Sequence, residues 1–411
     1  MQFDENILKI IEKAEERCKD KFAKLECTAL FNQNKVLDAF RNNNIGQRHF
    51  AQTNGYGYDD IGRDTLCKVF AEVFGAEAAI VSPLIVSGTH ALTIALYGIL
   101  RPGDEMLAVS GAPYDTLKEV ITGDGIGSLK DFGVSYRQVD LVNGAFDYDA
   151  IKSVINDKTK LVFVGRSRGY EWRDALDVRE IGKMAKFVKE LKNNVIVMCD
   201  NCYGEFVDTL EPTEVGADIA VGSMIKNIGG GIAPSGGYVC GKKSCVEQIA
   251  YRLTSPSIGM EVGSYAYGYR EFYQGLFLAP HVTLQALKGS VLFGEVFDSA
   301  GYKTMPRPDG ECKDIIRSIM FDTEEELITF CRAVQKASPV DSNVTPFPWD
   351  MPGYEHQVIM AAGTFVAGAS IELSADSPIK APYIAYLQGG LTYEHVKIAA
   401  AYCLESVLNN K

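Results

Sequence analysis

Short apolar runs that alternate with helical patterns constrain the fold of this chain more than any other feature. Between residue 63 and about residue 290, runs of the kind that form buried strands recur, and segments with helical spacing separate them. The runs occupy residues 79–81, 106–109, 161–164 and 195–199. This alternation predicts an α/β fold built on a doubly wound, mostly parallel sheet.

The segments on either side of this region have different patterns and divide the chain into three predicted domains. Apolar residues at helical spacing, such as Ile7 and Ile11, indicate that residues 1–50 form an N-terminal helical arm. Residues 51–290 form the predicted large domain. Residues 291–411 mix strand-like and helical patterns, which predicts a C-terminal α+β small domain. Its expected strands are residues 314–320, 358–360 and 369–373, and its expected helices are residues 324–336 and 392–408.

Composition indicates a soluble, cytoplasmic protein. Apolar residues make up 46% and charged residues 23% of the 411, which is ordinary for a globular protein. The net charge of −12 argues against partners such as nucleic acid or an anionic membrane, which need clustered Lys and Arg. The apolar stretches look too short and too interrupted to span a bilayer, and no apolar leader is recognised at the start of the sequence.

The ten cysteines show no spacing typical of a disulfide framework, and a cytosol would keep them reduced. Cys199 and Cys202 fit a C-x-x-C pattern, but no second such pair accompanies them for zinc. We therefore expect packing roles for both residues and no metal site.

A carboxylate and a lysine follow two neighbouring strand-like runs. Asp200 ends the run at residues 195–199, and Lys226 follows the run at residues 218–223. Ligands of open α/β sheets collect at the carboxyl ends of the strands, so both side chains are expected to face one crevice. A lysine and a carboxylate placed in this way suit a pyridine-aldehyde cofactor, because the lysine attaches the aldehyde and the carboxylate keeps the ring nitrogen protonated. We also expect the pKa of Lys226 to be lowered beside a cationic ring.

A glycine-rich segment near Lys226 offers a competing interpretation. Gly236, Gly241 and Lys242 approach the P-loop pattern of nucleoside triphosphatases. That pattern requires Ser or Thr directly after the lysine, and Lys243 stands there instead, so the nucleotide interpretation is disfavoured.

The spacing around Asp200 and Lys226 resembles a known family. Lys226 follows Asp200 by 26 positions, with Gly-Ala-Asp at residues 216–218, Ser-x-x-Lys at residues 223–226 and glycines at residues 229–231. This order is similar to that of the pyridoxal-phosphate (PLP) enzymes of fold type I. The chain resembles the aluminium-resistance or methionine gamma-lyase-like group, distant relatives of cystathionine beta-lyase, from about Tyr56 to residues 388–395.

The resemblance implies a set of cofactor contacts. Lys226 and Asp200 would hold the ring system, with Tyr114 stacked on the ring and Tyr203 near the ring hydroxyl. The phosphate would lie at the start of a helix, where backbone N–H groups and the helix dipole favour anions. The phosphate-binding residues implied are Ser87, Gly88, Thr89 and Ser223. Tyr56 or Tyr58 would reach the phosphate of a neighbouring subunit, so a homodimer or homotetramer is expected.

The implied activity is that of a PLP-dependent carbon–sulfur lyase that cleaves a sulfur-containing amino acid by β- or γ-elimination, with Tyr114 as the acid for the leaving group. An aminotransferase, or a PLP-binding protein without lyase turnover, is the alternative. The lyases bind the substrate α-carboxylate with an arginine of the small domain, but this sequence has no arginine after Arg332. Arg168, Arg173 and Lys380 are the candidates to replace it.

Overall fold

The computed structural model describes residues 3–351 and 354–410. Its α-helices are α1 (Glu5–Asn42), α2 (Ile61–Val73), α3 (Gly88–Ile99), α4 (Asp115–Thr122), α5 (Tyr148–Val154), α6 (Val178–Leu191), α7 (Lys243–Leu253), α8 (Arg270–Ser299), α9 (Glu324–Ala337) and α10 (Tyr393–Leu408). Its strands are β1 (Ala78–Ser82), β2 (Glu105–Ala108), β3 (Ser135–Gln138), β4 (Thr159–Gly165), β5 (Ile196–Asp200), β6 (Ile219–Ser223), β7 (Gly237–Gly241), β8 (Lys303–Met305), β9 (Arg317–Phe321), β10 (Val358–Ala361), β11 (Ser374–Pro378) and β12 (Tyr383–Gln388).

The larger sheet confirms the predicted α/β fold. Its seven strands follow the order β1-β7-β6-β5-β4-β2-β3. The pairs among β2 to β6 are parallel, and β7 is antiparallel to both β1 and β6. Strands β2, β4, β5 and β6 are almost entirely buried, as expected when helices cover both faces of a sheet. The four apolar runs seen in the sequence are β1, β2, β4 and β5.

The segment that resembled a P-loop has a different structure. Gly236 precedes strand β7, and Gly241 ends that strand inside the sheet. Lys242 is the N-cap of α7 and bonds to Asp218. A phosphate loop needs its glycines between a strand and a helix, so this segment lacks the required geometry.

The smaller sheet has five antiparallel strands in the order β10-β11-β12-β9-β8. Helices α9 and α10 share its hydrophobic core. The expected strand at residues 369–373 is wrong, because this segment is a turn that precedes β11. The carboxylate of Glu372 accepts the N–H groups of Phe365 and Val366, each at 2.9 Å, which folds the segment back on itself.

Helix α1 forms the N-terminal arm, and it packs against the long helix α8. Asp4 caps the start of helix α1, and its side chain accepts the N–H of Asn6 at 2.7 Å. Ile7 and Ile11 of α1 pack in one core cluster with Leu292 and Val296 of α8. By length and composition α8 alone among the described helices is apolar enough to cross a membrane, which the sequence analysis missed. However, 67% of its most apolar window is buried inside the fold, as in the core helix of a soluble protein.

Candidate active site

A cavity of about 620 Å³ lies at the carboxyl ends of the strands of the larger sheet and extends to the smaller sheet. The larger sheet and its loops contribute Asp200 and Lys226 to its lining, and the smaller sheet contributes Asp376 and Gln388. Residues 200 and 226, which the sequence placed at strand ends, therefore do meet in one crevice.

Lys226 is half-buried in this cavity, three residues after β6. Its Nζ lies 2.7 Å from the hydroxyl of Tyr203 and 2.7 Å from the hydroxyl of Ser370. Burial alone would lower the pKa of Lys226, but the neighbouring Tyr203, Cys202 and Asp376 outweigh it and raise the pKa above its usual value. The expected lowering of the lysine pKa concerned a lysine beside a cationic ring, and it stays a prediction.

Asp200 is the last residue of β5, and its Oδ1 accepts the backbone N–H of Cys202 at 3.1 Å. Desolvation raises the pKa of Asp200, while the hydrogen bonds from Cys202 and the charge of Lys226 lower it in part. A cationic partner would compensate this desolvation, because an opposite charge favours the ionised carboxylate. The environment of Asp200 thus fits a protonated ring nitrogen.

The start of α3 forms the part of the cavity suited to a phosphate. The hydroxyl of Ser87 caps the helix by accepting the N–H of His90 at 3.1 Å. A Cβ added at Gly88 would lie 3.3 Å from the Cβ of Ser223, so glycine permits the close approach of α3 to the end of β6. The first N–H groups of an α-helix lack partners within the helix. They can therefore donate hydrogen bonds to an anion bound at the N-terminus of the helix.

Tyr114 precedes α4, and its hydroxyl donates a hydrogen bond to Oγ1 of Thr89 at 2.9 Å. Although 37% of the residue is exposed, desolvation raises the pKa of the Tyr114 hydroxyl far above its usual value, and the charge of Asp200 adds to this effect. The hydroxyl keeps its proton at neutral pH, as tyrosine does at its ordinary pKa, and can therefore donate it. With the lysine, the carboxylate and the helix terminus in one cavity, these residues fit PLP.

The three cations predicted to bind substrate lie in different surroundings. Arg168 is buried and bonds to Asp314 at 3.0 Å and to the carbonyl of Met305 at 2.9 Å. Arg173 pairs with Glu171 and donates to two backbone carbonyls. Lys380 is exposed where it lines the cavity. Both arginines thus bind groups of the protein itself. The substrate-binding roles of the three cations stay predictions.

Tyr56 and Tyr58 do not line this cavity. They are 71% and 63% exposed, and their ring centroids lie 5.5 Å apart. Their loop is anchored by Arg63, which donates to the carbonyl of Gly57 at 3.0 Å. A role in the site of a neighbouring subunit stays a prediction.

Ser370 and Asp376 are among the cavity residues that the sequence did not predict. Ser370 contacts Lys226 from the turn before β11, and Asp376 lies on β11 itself. Ser370 is separated from Lys226 by 144 positions, so no local spacing relates them. The local sequence around Asp376 is the polar Ser-Ala-Asp-Ser pattern of residues 374–377, which does not predict a strand.

Comparison with known proteins shows a family match along almost the whole chain. The family model described as methionine gamma-lyase matches residues 7–408. The protein YnbB of Bacillus subtilis is 52% identical over 384 residues, which cover 92% of this chain and 91% of that protein. The L-methionine gamma-lyase of Pseudomonas putida is 29% identical over 199 residues, which cover 47% of this chain and 45% of that enzyme.

Solved structures agree with this match. A Listeria monocytogenes protein, provisionally assigned as a cystathionine beta-lyase involved in aluminium resistance, has 50% identity and a TM-score of 0.96, with 97% of this chain and 100% of that chain covered. A carbon–sulfur lyase involved in aluminium resistance from Clostridium novyi has 49% identity and a TM-score of 0.95, with 98% and 96% covered. A PLP-dependent Escherichia coli protein, YhfS, has 16% identity and a TM-score of 0.63 over 92% and 96%, which shows the shared fold alone.

Proposed function

Because the chain belongs to the methionine gamma-lyase family, whose cofactor is PLP, we propose that it is a carbon–sulfur lyase. Its substrate would be a thioether amino acid such as cystathionine or methionine, cleaved by β- or γ-elimination. The observation that carries the proposal is the meeting of Lys226, Asp200 and Tyr114 in one cavity, which provides a base, a partner for the ring and an acid. The lyase names of related proteins support the same reaction class.

Lys226 is the residue proposed to move the substrate α-proton. Bound PLP supplies an electron sink for the α-carbon of an amino acid. The Nζ of Lys226 accepts the α-proton, and the hydroxyls of Tyr203 and Ser370 orient that amine. Asp200 keeps a proton on the ring nitrogen, which maintains the sink.

Tyr114 is proposed to protonate the leaving sulfur. Its hydroxyl holds a proton at neutral pH, as an ordinary tyrosine does, and desolvation raises its pKa further. Transfer of that proton from Oη to sulfur releases a thiol, and water converts the unsaturated remainder to a 2-oxo acid and ammonia. An aminotransferase would yield the oxo acid without free ammonia or thiol.

The direct experiment measures thiol, 2-oxo acid and ammonia released from L-cystathionine and from L-methionine by the PLP-loaded protein. Equal amounts of the three products are expected from at least one substrate. Oxo acid formed without ammonia would instead identify an aminotransferase. No turnover with a bound cofactor would leave a PLP-binding protein.

A second measurement tests the assignment of Lys226 independently of activity. Borohydride reduction followed by peptide mass analysis should locate the cofactor on Lys226, and Lys226→Ala should abolish the trapped adduct. Lys242→Ala is the matched control, because Lys242 bonds to Asp218 outside the cavity. A cofactor trapped at residue 242 or 243 would contradict the assignment.

The proposal also includes a homo-oligomeric, cytoplasmic enzyme with domain boundaries near residues 50 and 290. The strongly exposed tyrosines at positions 56 and 58 support the oligomer, because neither lines the cavity of its own chain. The boundary at residue 290 lies within α8, which links the two sheets.

A further inference from the structure

Asp376 is a cavity carboxylate that the proposed mechanism does not use. It lies on β11 opposite Tyr386 of β12, and its Oδ2 accepts a hydrogen bond from Nε2 of Gln388 at 3.1 Å. Gln388 is 5% exposed and belongs to β12, so a residue of the smaller sheet positions the carboxylate of Asp376. Both residues line the cavity.

The cavity that contains this carboxylate is also lined by Tyr170, Tyr354 and Tyr386. Tyr170 and Tyr354 have ring centroids 5.9 Å apart, and Tyr170 lies 5.1 Å from Tyr386. The hydroxyl of Tyr386 donates to the carbonyl of Tyr170 at 2.6 Å, which fixes the two residues together. The charge of Asp376 acts on both Tyr170 and Tyr354 and raises their pKa values, after the larger effect of burial. A carboxylate and tyrosine rings in the lining of one cavity are both groups that attract cations.

Asp376 is ionised to a large extent at neutral pH. Burial raises its pKa to about 6, and the charge of Lys226 and the hydrogen bond from Gln388 limit the increase. When Lys226 is linked covalently to the cofactor, its ammonium no longer offsets this carboxylate. Loss of that counter-charge raises the pKa of Asp376 further and favours the protonated acid, and an ammonium group of a ligand placed beside it would favour the carboxylate again.

The other charges that line the cavity do not supply that cation. Arg168 is paired with Asp314, and Arg173 is paired with Glu171. Lys380 belongs to the turn after β11 and is exposed. At the end of the cavity near β11 and β12, the carboxylate of Asp376 is therefore available as a hydrogen-bond acceptor for the ligand.

We propose that Asp376, with the rings of Tyr170 and Tyr354, is a specificity-determining site for substrates whose side chain ends in an ammonium group. This inference rests on the proposed lyase function and narrows its substrate class. The preferred substrate is a thioether amino acid that carries a second amino group beyond the sulfur. A neutral side chain such as that of methionine leaves the carboxylate of Asp376 without a partner and binds less well.

A simpler role for Asp376 is that of a counter-ion for Lys226 alone. The two roles differ in what they predict for ligands that share the reacting centre. A counter-ion affects every amino acid equally, whereas a specificity site affects only ligands with a distal cation.

The test compares S-(3-aminopropyl)-L-cysteine with S-(3-carboxypropyl)-L-cysteine, which differ in the charge at the end of the side chain. For each ligand, the dissociation constant is measured from the visible absorbance change of the PLP-loaded protein, and kcat/KM from thiol release. The parent should bind the aminopropyl ligand at least about tenfold more tightly than the carboxypropyl ligand. One hydrogen bond between charged groups is worth at least that factor.

Asp376→Asn should remove this preference, mainly by weakening the aminopropyl ligand. Glu355→Gln is the control, because it deletes the same charge from an exposed residue of the cavity lining and should leave the preference intact. Equal affinity of the parent for both ligands would overturn the inference, as would an equal loss for both ligands in Asp376→Asn. Equal affinity of the parent for both ligands overturns the inference even if the variant does not fold. A binding preference without thiol release would support this site while removing the lyase proposal.

Discussion

The side chains of the cavity differ in which protonation state the fold favours, and this difference suits elimination chemistry. Desolvation raises the pKa of Tyr114, which keeps its hydroxyl as a proton donor. Desolvation also raises the pKa of Asp200, so this carboxylate gains from any cation placed against it. Lys226 is held as a cation by its neighbours until it is linked to the cofactor. Tyr114 thus starts from the state that its proposed step requires, whereas Lys226 must lose its proton before it can act as a base.

Asp200→Asn tests the partner of the ring nitrogen. The cofactor should remain attached at Lys226, since that link does not involve residue 200. Exchange of the substrate α-proton with deuterated solvent should slow by roughly two orders of magnitude or more, because a neutral amide cannot keep the ring nitrogen protonated. Exchange is followed by NMR and attachment by borohydride trapping. Exchange at the parent rate would remove this role from Asp200.

Tyr114→Phe separates elimination from proton removal. Thiol release from cystathionine should fall by about a hundredfold, as expected for the loss of a general acid, whereas α-proton exchange should fall much less. Exchange requires Lys226 but no acid at the sulfur. Both rates are measured on the same preparation, so each serves as the control for the other. Equal slowing of the two would make Tyr114 a packing residue.

The connection that follows β5 is the element that brings Tyr203 to Lys226, and it contains backbone strain. Tyr203 and Phe206 adopt φ values of 71° and 60°, in the left-handed region that non-glycine residues seldom occupy. Buried polar contacts hold the segment. The carboxylate of Glu211 accepts the N–H of Phe206 and the amide of Asn201, each at 2.9 Å. The position of the Tyr203 hydroxyl therefore depends on a buried network beneath the cavity.

Glu205 gives this network a pH dependence. The residue is fully buried, and burial raises its pKa to about 8 while a hydrogen bond from the Tyr238 hydroxyl at 2.8 Å limits the rise. The folded pKa is above the ordinary value of 4.5, so the contribution of the protonated acid to stability is complete below about pH 4.5 and is lost as the pH rises through 8. The slope for this single group is at most ~1.4 kcal/mol per pH unit.

Glu205→Gln should remove that slope, because glutamine resembles the protonated acid and does not titrate. The urea midpoint of the PLP-loaded protein is measured from pH 5 to pH 9 for the parent and the variant. Between about pH 4.5 and 8 the parent should lose stability relative to the variant. Glu12→Gln, at an exposed position of α1, is the control for the charge change. A parent and variant with parallel pH profiles would contradict a protonated Glu205.

The sequence predicted those parts of the fold and site that depend on local patterns. Strand β5 and its terminal Asp200 were visible because an apolar run ends there, and α3 because the Ser-Gly-Thr turn precedes an apolar helix. The turn at residues 369–373 was mistaken for a strand, since its apolar residues Ile371 and Leu373 are buried as in a strand. Ser370 and Asp376 could not be found, because only the packing of the two sheets brings them to Lys226.

At the scale of the whole molecule, the cavity depends on how the two sheets are held together. Helix α8 contributes to the core of the larger sheet through Phe272 and Leu276 and to the core of the smaller sheet through Phe293 and Val296. Helix α1 packs against the same core at its N-terminal end. This arrangement places the smaller sheet at one side of the cavity, whereas Tyr56 and Tyr58 are not part of the cavity lining.

Complementation between two impaired chains tests whether that loop completes the site of a neighbour. One chain carries Lys226→Ala, and the other carries Tyr56→Phe together with Tyr58→Phe. If the tyrosines act across a dimer interface, each mixed dimer contains one site with an intact Lys226 and intact tyrosines from the partner. Random mixing of equal amounts should then restore about a quarter of the parent sites, since half of the dimers are mixed and each has one complete site.

Activity is assayed after co-refolding, with each variant refolded alone as the control, and sedimentation reports the oligomeric state. If the tyrosines served their own chain, every chain would lack one of the required groups and mixing would restore nothing. A fully active monomer would exclude the shared site altogether. Both outcomes are distinct from the expected recovery, because complementation requires each chain to supply what the other has lost.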